Sequence, residues 1–200
     1  MSGIRILHLA DLHIGMENYG RLDPETGLNG RVMDFLRRLS DVVDYALDDE
    51  IDVVLFAGDA YKNRDPNSTY RREFSRRIKR LADNGVPVVL LVGNHDLPSQ
   101  ERRASSLDIF RTLEVPNVLV AHRDQLHRVR TRRGETLQVA AVPYPVRHRL
   151  LAQDEYHERT IAELDTLVQE LVAENIQALA AQVDPTLPAV IYNNEKPGLD

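Results

Sequence analysis

Three apolar runs, the first with some alternation and each followed by polar residues, constrain this chain more than any other feature. They are IRILHLA at 4–10, IDVVLFAGD at 51–59 and VPVVLLVGNHD at 86–96. Strands buried on both faces read as continuous apolar runs rather than alternating ones. Between them lie segments with helical spacing. Val32, Phe35, Leu36, Leu39, Val42, Val43, Ala46 and Leu47 mark a helix from about 29 to 50. Phe74, Ile78, Leu81 and Ala82 mark another over 68–84, closed by Asn84-Gly85. Strand, helix, strand, helix, strand is the order of a parallel α/β layer.

Ligands of such sheets bind beyond the carboxyl ends of the strands. All three runs place polar residues there: Asp11 and His13, then Asp59, then Asn94, His95 and Asp96. Residues two apart on an extended segment point the same way, so Asp11 and His13 could share one divalent ion. Gly58 before Asp59 allows a sharp turn and a close approach to a ligand. Asn94 offers a hard oxygen. His95 titrates near neutrality and suits proton donation to a leaving alkoxide, with Asp96 placed to orient it.

The remainder is less regular. Residues 11–28 carry Gly15, Gly20, Pro24 and Gly27 and read as a long loop. A short helix over about 102–113 precedes strands near 117–121, 126–130 and 136–142, and this block reads as antiparallel. Arg132 to Glu135 reads as a hairpin turn. A long helix over about 154–182 carries an apolar stripe from Ile161 to Ile176, which is core packing. LPAVIY at 187–192 begins as another buried strand and runs into a polar tail, 193–200.

Composition narrows the function. No apolar run reaches the roughly 20 residues a membrane helix needs. The start, MSGIRILHLADLHIG, lacks a leader pattern. The chain has no cysteine, so any metal site must use His, Asp, Glu, Asn or backbone oxygen, and a cytoplasmic location is expected. Net charge is −6, which does not suit a basic nucleic-acid-binding module. Of 25 basic residues only Lys62, Lys79 and Lys196 are lysine. The arginine clusters at 71–80 and 128–133 read first as solvated surface, although arginine also favours bidentate phosphate contacts.

Asp-x-His, Gly-Asp and Gly-Asn-His-Asp on successive strand ends resemble the calcineurin-like metallophosphoesterase superfamily. ADLHIG, GRLDPETGLNGRVMDFL, GDAYKNRDP and GNHDLP resemble more narrowly its SbcD and meiotic-recombination type of DNA repair exonuclease. The resemblance covers residues 4–192 and implies a four-layer αββα fold, a β-sandwich flanked by helices, with 1–192 as the N-terminal part of the nuclease domain. It implies a phosphodiesterase with two divalent ions, usually manganese, that clamp the phosphate and activate water. Asp11 and His13 would hold the first ion, Asp59 would bridge both, and Asn94 would hold the second. His95, backed by Asp96, would protonate the leaving group. Lys62 and Arg64 would contact DNA.

An SMC-like ATPase partner is implied as well, together with a homodimer built on Leu107, Phe110 and the 68–84 helix. The family completes its site with later histidines, one after a buried strand and others in a Gly-His-x-His motif. The histidines here are 8, 13, 95, 122, 127, 148 and 157, and Asn194 falls where the first of those later ligands would stand. The four histidines after 95 are expected on surface loops or helices. The second ion is therefore expected to be short of ligands, in a truncated or divergent chain of reduced activity. Two other functions use the same residues: hydrolysis of a different phosphoester, such as a cyclic nucleotide or phosphoprotein, and a non-catalytic interaction fragment.

Overall fold

The structure is a computed structural model and describes residues 3–18, 20–97, 104–143 and 160–194. Four strands run parallel in the order β1 (Ile6–Leu9), β2 (Val53–Phe56), β3 (Val88–Leu91) and β4 (Val118–Ala121). Helices α1 (Gly30–Asp48), α2 (Ser68–Asp83) and α3 (Asp108–Thr112) connect them. Asn29 and Asn67 start the two long helices, each side chain accepting a backbone N–H of the first turn. A second sheet has the order β5 (Gln125–Arg130), β6 (Thr136–Val142) and β7 (Ala189–Asn193), with α4 (Ile161–Ala180) before its last strand.

The two faces of β2 and β3 explain why both runs are apolar throughout. Val54, Phe56, Val88 and Leu90 pack under α1 and α2, where Phe74 meets Phe56 and Tyr61, each at 5.5 Å between ring centres. Val53, Leu55, Val89 and Leu91 point the other way, against Val129, Leu137, Val139 and Ala141 of the second sheet. That sheet is covered in turn by α4 through Val168, Val172 and Leu179 on Ala140 and Val142. The layers are therefore helix, sheet, sheet, helix, the expected αββα order.

Several expectations need correction. The block after residue 116 is not antiparallel throughout. Its first strand, β4, joins the first sheet parallel to β3, and β7 is parallel to β6, so among the described strands only β5 and β6 form an antiparallel pair. Short apolar strands carry no signal for the sheet they join; the α3 connection returns the chain to the first sheet. The short helix is confined to Asp108–Thr112 among the described residues. Leu107 and Phe110 are 0% and 3% exposed and belong to the core under the first sheet, so neither offers a dimer surface. His127 lies on β5 rather than a loop or helix, its Nε2 buried without a partner, while His122 is exposed beside Arg111. His148, His157, the first part of the 154–182 helix and the tail beyond 194 lie outside the described residues. No helix among the described residues is long and apolar enough to cross a membrane.

The arginines of α2 are engaged within the fold. Arg77 donates to Leu36 O and Ser40 Oγ of α1, Arg72 and Arg76 pair with Glu73, Arg80 pairs with Asp44, and Arg71 pairs with Asp65. Arg77 and Arg80 tie α2 to α1, and the paired carboxylates offset the charge of the others.

At the end of the sandwich holding the amino ends of β1 and β2, one carboxylate joins the two sheets. Asp52, 0% exposed, accepts Arg133 Nε at 2.6 Å and the Arg5 amide at 2.7 Å. Arg133 sits in the β5–β6 turn, whose Gly134 has φ +87. Burial disfavours the charged Asp52, but the Arg133 guanidinium and Arg5 amide outweigh it and hold the carboxyl below its ordinary range. The depressed value means stability present above pH about 3.8 and lost as pH falls below it. Asp52→Asn should therefore lower the melting temperature at pH 7 and flatten the fall in stability below pH ~4, as read by thermal melts across pH.

Candidate metal centre

The parallel ladder between β1 and β2 continues past the strands into the loops. Asp11 N donates to Gly58 O at 3.2 Å, His13 N to Asp59 O at 3.0 Å, and Ile14 N to Ala60 O at 3.0 Å. These bonds carry the ends of both runs into one place. The expected geometry of the Asp11-Leu12-His13 segment was extended, and here the structure differs. Asp11, His13 and Asp59 have φ of +55, +45 and +59. Non-glycine residues in that region cost roughly 1–2 kcal/mol each. Among the described residues, three of the six non-glycine residues with positive φ are candidate ligands, a concentration of strain of the kind found at functional loops.

The loops after β2 and β3 touch backbone to backbone. A Cβ on Gly58 would lie 2.6 Å from Gly93 N, and one on Gly93 would lie 2.3 Å from Asp59 Oδ1. Glycine is thus needed at both positions for approach, and at Gly58 also for φ +87.

Asp96, expected to orient His95, does something else. Its carboxylate is 0% exposed and accepts Asp59 N at 2.7 Å, Ala60 N at 3.1 Å and Gly93 N at 3.1 Å. Burial, with the Asp59 charge adding, pushes its carboxyl up to about 7 against the pull of these amides. The partner of His95 is instead the Lys62 carbonyl, 2.8 Å from Nδ1. A carbonyl only accepts, so Nδ1 carries a proton and Nε2 is the nitrogen turned to a ligand or substrate. No sequence signal marks a main-chain carbonyl for this task.

His13, Asp59 and His95 each offer a ligand atom within 4.8 Å of the others. The two imidazoles meet edge to face at 4.9 Å, and Asp59 Oδ1 also accepts the His95 amide at 2.9 Å. Asp11 lies outside this trio, its Oδ1 3.7 Å from His13 Nε2 and its side chain about half exposed. Asn94 is half-buried in the turn between Gly93 and His95. His13 Nδ1 is buried without a hydrogen-bond partner, which is costly in a protein interior. Two imidazoles and a carboxylate, one nitrogen orphaned, fit a divalent cation of the kind bound by nitrogen and oxygen. His95, expected as a proton donor only, is thereby also within ligand range. Asn194, at the end of β7, reaches the edge of the site and donates its side-chain amide to Ala57 O.

Known proteins share this arrangement of sequence. Residues 4–172 match the family model described as calcineurin-like phosphoesterase. The chain belongs to the calcineurin-like phosphoesterase family. The SbcD component of the SbcCD nuclease of Bacillus subtilis is 31% identical over 165 residues, covering 80% of this chain and 39% of that protein. The DNA double-strand break repair protein Mre11 of Haloferax volcanii is 36% identical over 109 residues, covering 54% and 22%. The Mre11 of Sulfurisphaera tokodaii is 27% identical over 123 residues, covering 58% and 30%. This phosphoesterase chain thus spans about a third of the length of those curated relatives.

The close loop approach gives a direct test. Gly93→Ala should destabilise the fold by about 1–3 kcal/mol through overpacking and weaken any divalent-cation binding at least tenfold, read by denaturant unfolding and metal titration.

Proposed function

We propose that this chain is a metal-dependent phosphodiesterase of the SbcD type acting on DNA ends in double-strand-break repair. The observation that carries it is the convergence of His13, Asp59 and His95 at the ends of three parallel strands in a phosphoesterase chain. In this reading His13 and Asp59 hold a divalent cation, manganese by preference, with Asp11 beside them and the Asn94 oxygen available to a second ion. A bound cation would supply charge neutralisation at the phosphate and a water of lowered pKa.

The Lys62 carbonyl accepts from His95 Nδ1 and orients the ring, so Nε2 would face the leaving oxygen and would act as an acid from the doubly protonated ring. Asp96 positions rather than reacts: it fixes the amides of Asp59 and Gly93, and through them the loops carrying the other groups. Lys62 and Arg64, both exposed on the loop after β2, would contact the DNA backbone. The Bacillus relative is by name one subunit of a complex. That supports a partner subunit here, and the SMC-like ATPase and second copy of the chain are what the family resemblance implies.

Linear duplex DNA and bis(p-nitrophenyl) phosphate should both be cleaved with added manganese, and neither with chelator. His95→Gln should lower the rate by about 10²–10⁴-fold, the usual worth of a positioned acid. Cleavage of the aryl ester with no DNA cleavage would redirect the reading to another phosphoester. No turnover with any divalent metal would favour a non-catalytic fragment.

A further inference from the structure

His13 carries an unusual burden for a candidate ligand. A metal-binding histidine is ordinarily oriented by a hydrogen bond to its other ring nitrogen. Here Nδ1 is buried with no partner, and Nε2 lies 3.7 Å from Asp11, beyond hydrogen-bond reach. The imidazole therefore takes its placement from the main chain. That main chain is strained, with φ +45 at His13 and φ +107 at Gly15. Such a turn persists only where its surroundings hold it.

On the sheet side the turn is held by the bonds from Ile14 N to Ala60 O and from Lys62 N to Ile14 O, each 3.0 Å. For the next residues the backbone bonds are local, Met16 N to His13 O at 3.2 Å and Gly20 N to Glu17 O at 3.1 Å. The loop is fastened on its other side through Glu17. Its carboxylate accepts the Tyr70 hydroxyl of α2, and its carbonyl accepts the Asn29 side-chain amide at 3.3 Å. Asn29 caps α1 by taking Arg31 N at 2.9 Å. One loop residue is thus bonded to the starts of both long helices.

The helix side of this fastening is rigid. Tyr70 is 9% exposed, and its own amide is fixed by the Asn67 cap at 2.9 Å. Its ring packs directly on the loop: a Cβ on Gly15 would stand 3.2 Å from Tyr70 Cε2. Packing alone resists compression but not sliding. The hydroxyl bond to Glu17, two residues further on, removes that freedom because it is directional.

We propose that Tyr70 and Glu17 are positioning residues of the metal centre, their hydroxyl–carboxylate bond latching the loop that carries His13 and so setting its imidazole for the cation. The inference rests on the metal-binding part of the proposed function. It gives to a tyrosine of α2 the support that a second ring-nitrogen bond would otherwise supply.

The test is cation binding, with no turnover needed. Manganese is titrated calorimetrically into the wild-type chain, Tyr70→Phe, Glu17→Ala, their double variant and Glu17→Gln, with melting curves for each. Tyr70→Phe keeps the ring on Gly15 and removes one hydroxyl. Tyr70→Phe and Glu17→Ala should each weaken manganese binding about tenfold or more, the usual cost of losing a group that orients a ligand. The double variant should lose no more than either alone, since all three break the same bond. Glu17→Gln keeps an oxygen acceptor without the charge and should bind like the wild type. Asp52→Asn, at the far end of the sandwich, should lower the melting temperature and leave manganese affinity unchanged. Wild-type affinity in Tyr70→Phe overturns the latch, as do additive losses in the double variant. So does a loss in Glu17→Gln equal to that in Glu17→Ala, which would mark simple charge attraction, or an equal loss in Asp52→Asn, which would mark general destabilisation. If the wild-type chain binds no manganese, the latch falls together with the metal reading. If manganese binds and Tyr70→Phe weakens it while no phosphodiester is cleaved, the latch stands and the nuclease reading falls.

Discussion

The site depends on one buried carboxylate. Asp96 gathers the amides of Asp59, Ala60 and Gly93 onto two oxygens, and so fastens the loop after β2 to the loop after β3. Without it, three main-chain donors would be buried and unsatisfied, each costing about 1–3 kcal/mol. Its own ionisation is costly at 0% exposure, and the Asp59 charge makes it more so. The fold accepts this because the amides orient Asp59 and the turn that carries His95. The strain at Asp11, His13 and Asp59 is held in the same way, by ladder bonds extending beyond the strands.

The two ends of the sandwich are built for different tasks. At the far end Asp52 is charged, satisfied by Arg133 and Arg5, and joins the sheets. At the site end polar groups are left with spare capacity: His13 Nδ1 has no partner, and His95 Nε2 is freed by the bond that Nδ1 makes. Rigid apolar layers between the ends let one be optimised for stability while the other is kept available for a ligand. Tyr70 and Glu17 extend that logic outward, holding the loop after His13 against α2 and leaving a cleft between.

Much of this was legible in the residues. The three apolar runs read as the parallel layer, and their polar ends pointed to Asp11, His13, Asp59 and Asn94 as ligands with His95 as an acid, of which the structure brings His13, Asp59 and His95 together. Other readings failed for local reasons. Asp96 follows His95 in sequence, which suggested a pair, but the turn points its carboxylate back under the loops. Leu107 and Phe110 looked like interface residues because short helices give no periodicity from which to judge a face. β4 looked like part of an antiparallel block because four apolar residues do not state their partner.

The sequence by itself determined at which edge of the sheet the candidate ligands lie, because ligands of a parallel sheet bind beyond the carboxyl ends of its strands. Tertiary structure alone decided how they meet. The left-handed turns at Asp11 and His13, the Lys62 carbonyl behind His95, the glycine contact between Gly58 and Gly93, and the arrival of Asn194 all join segments far apart in the chain. Such contacts are set by main-chain geometry and sheet stacking. Neither leaves a residue-type signature, so the metal centre could be named from its side chains but not assembled from them.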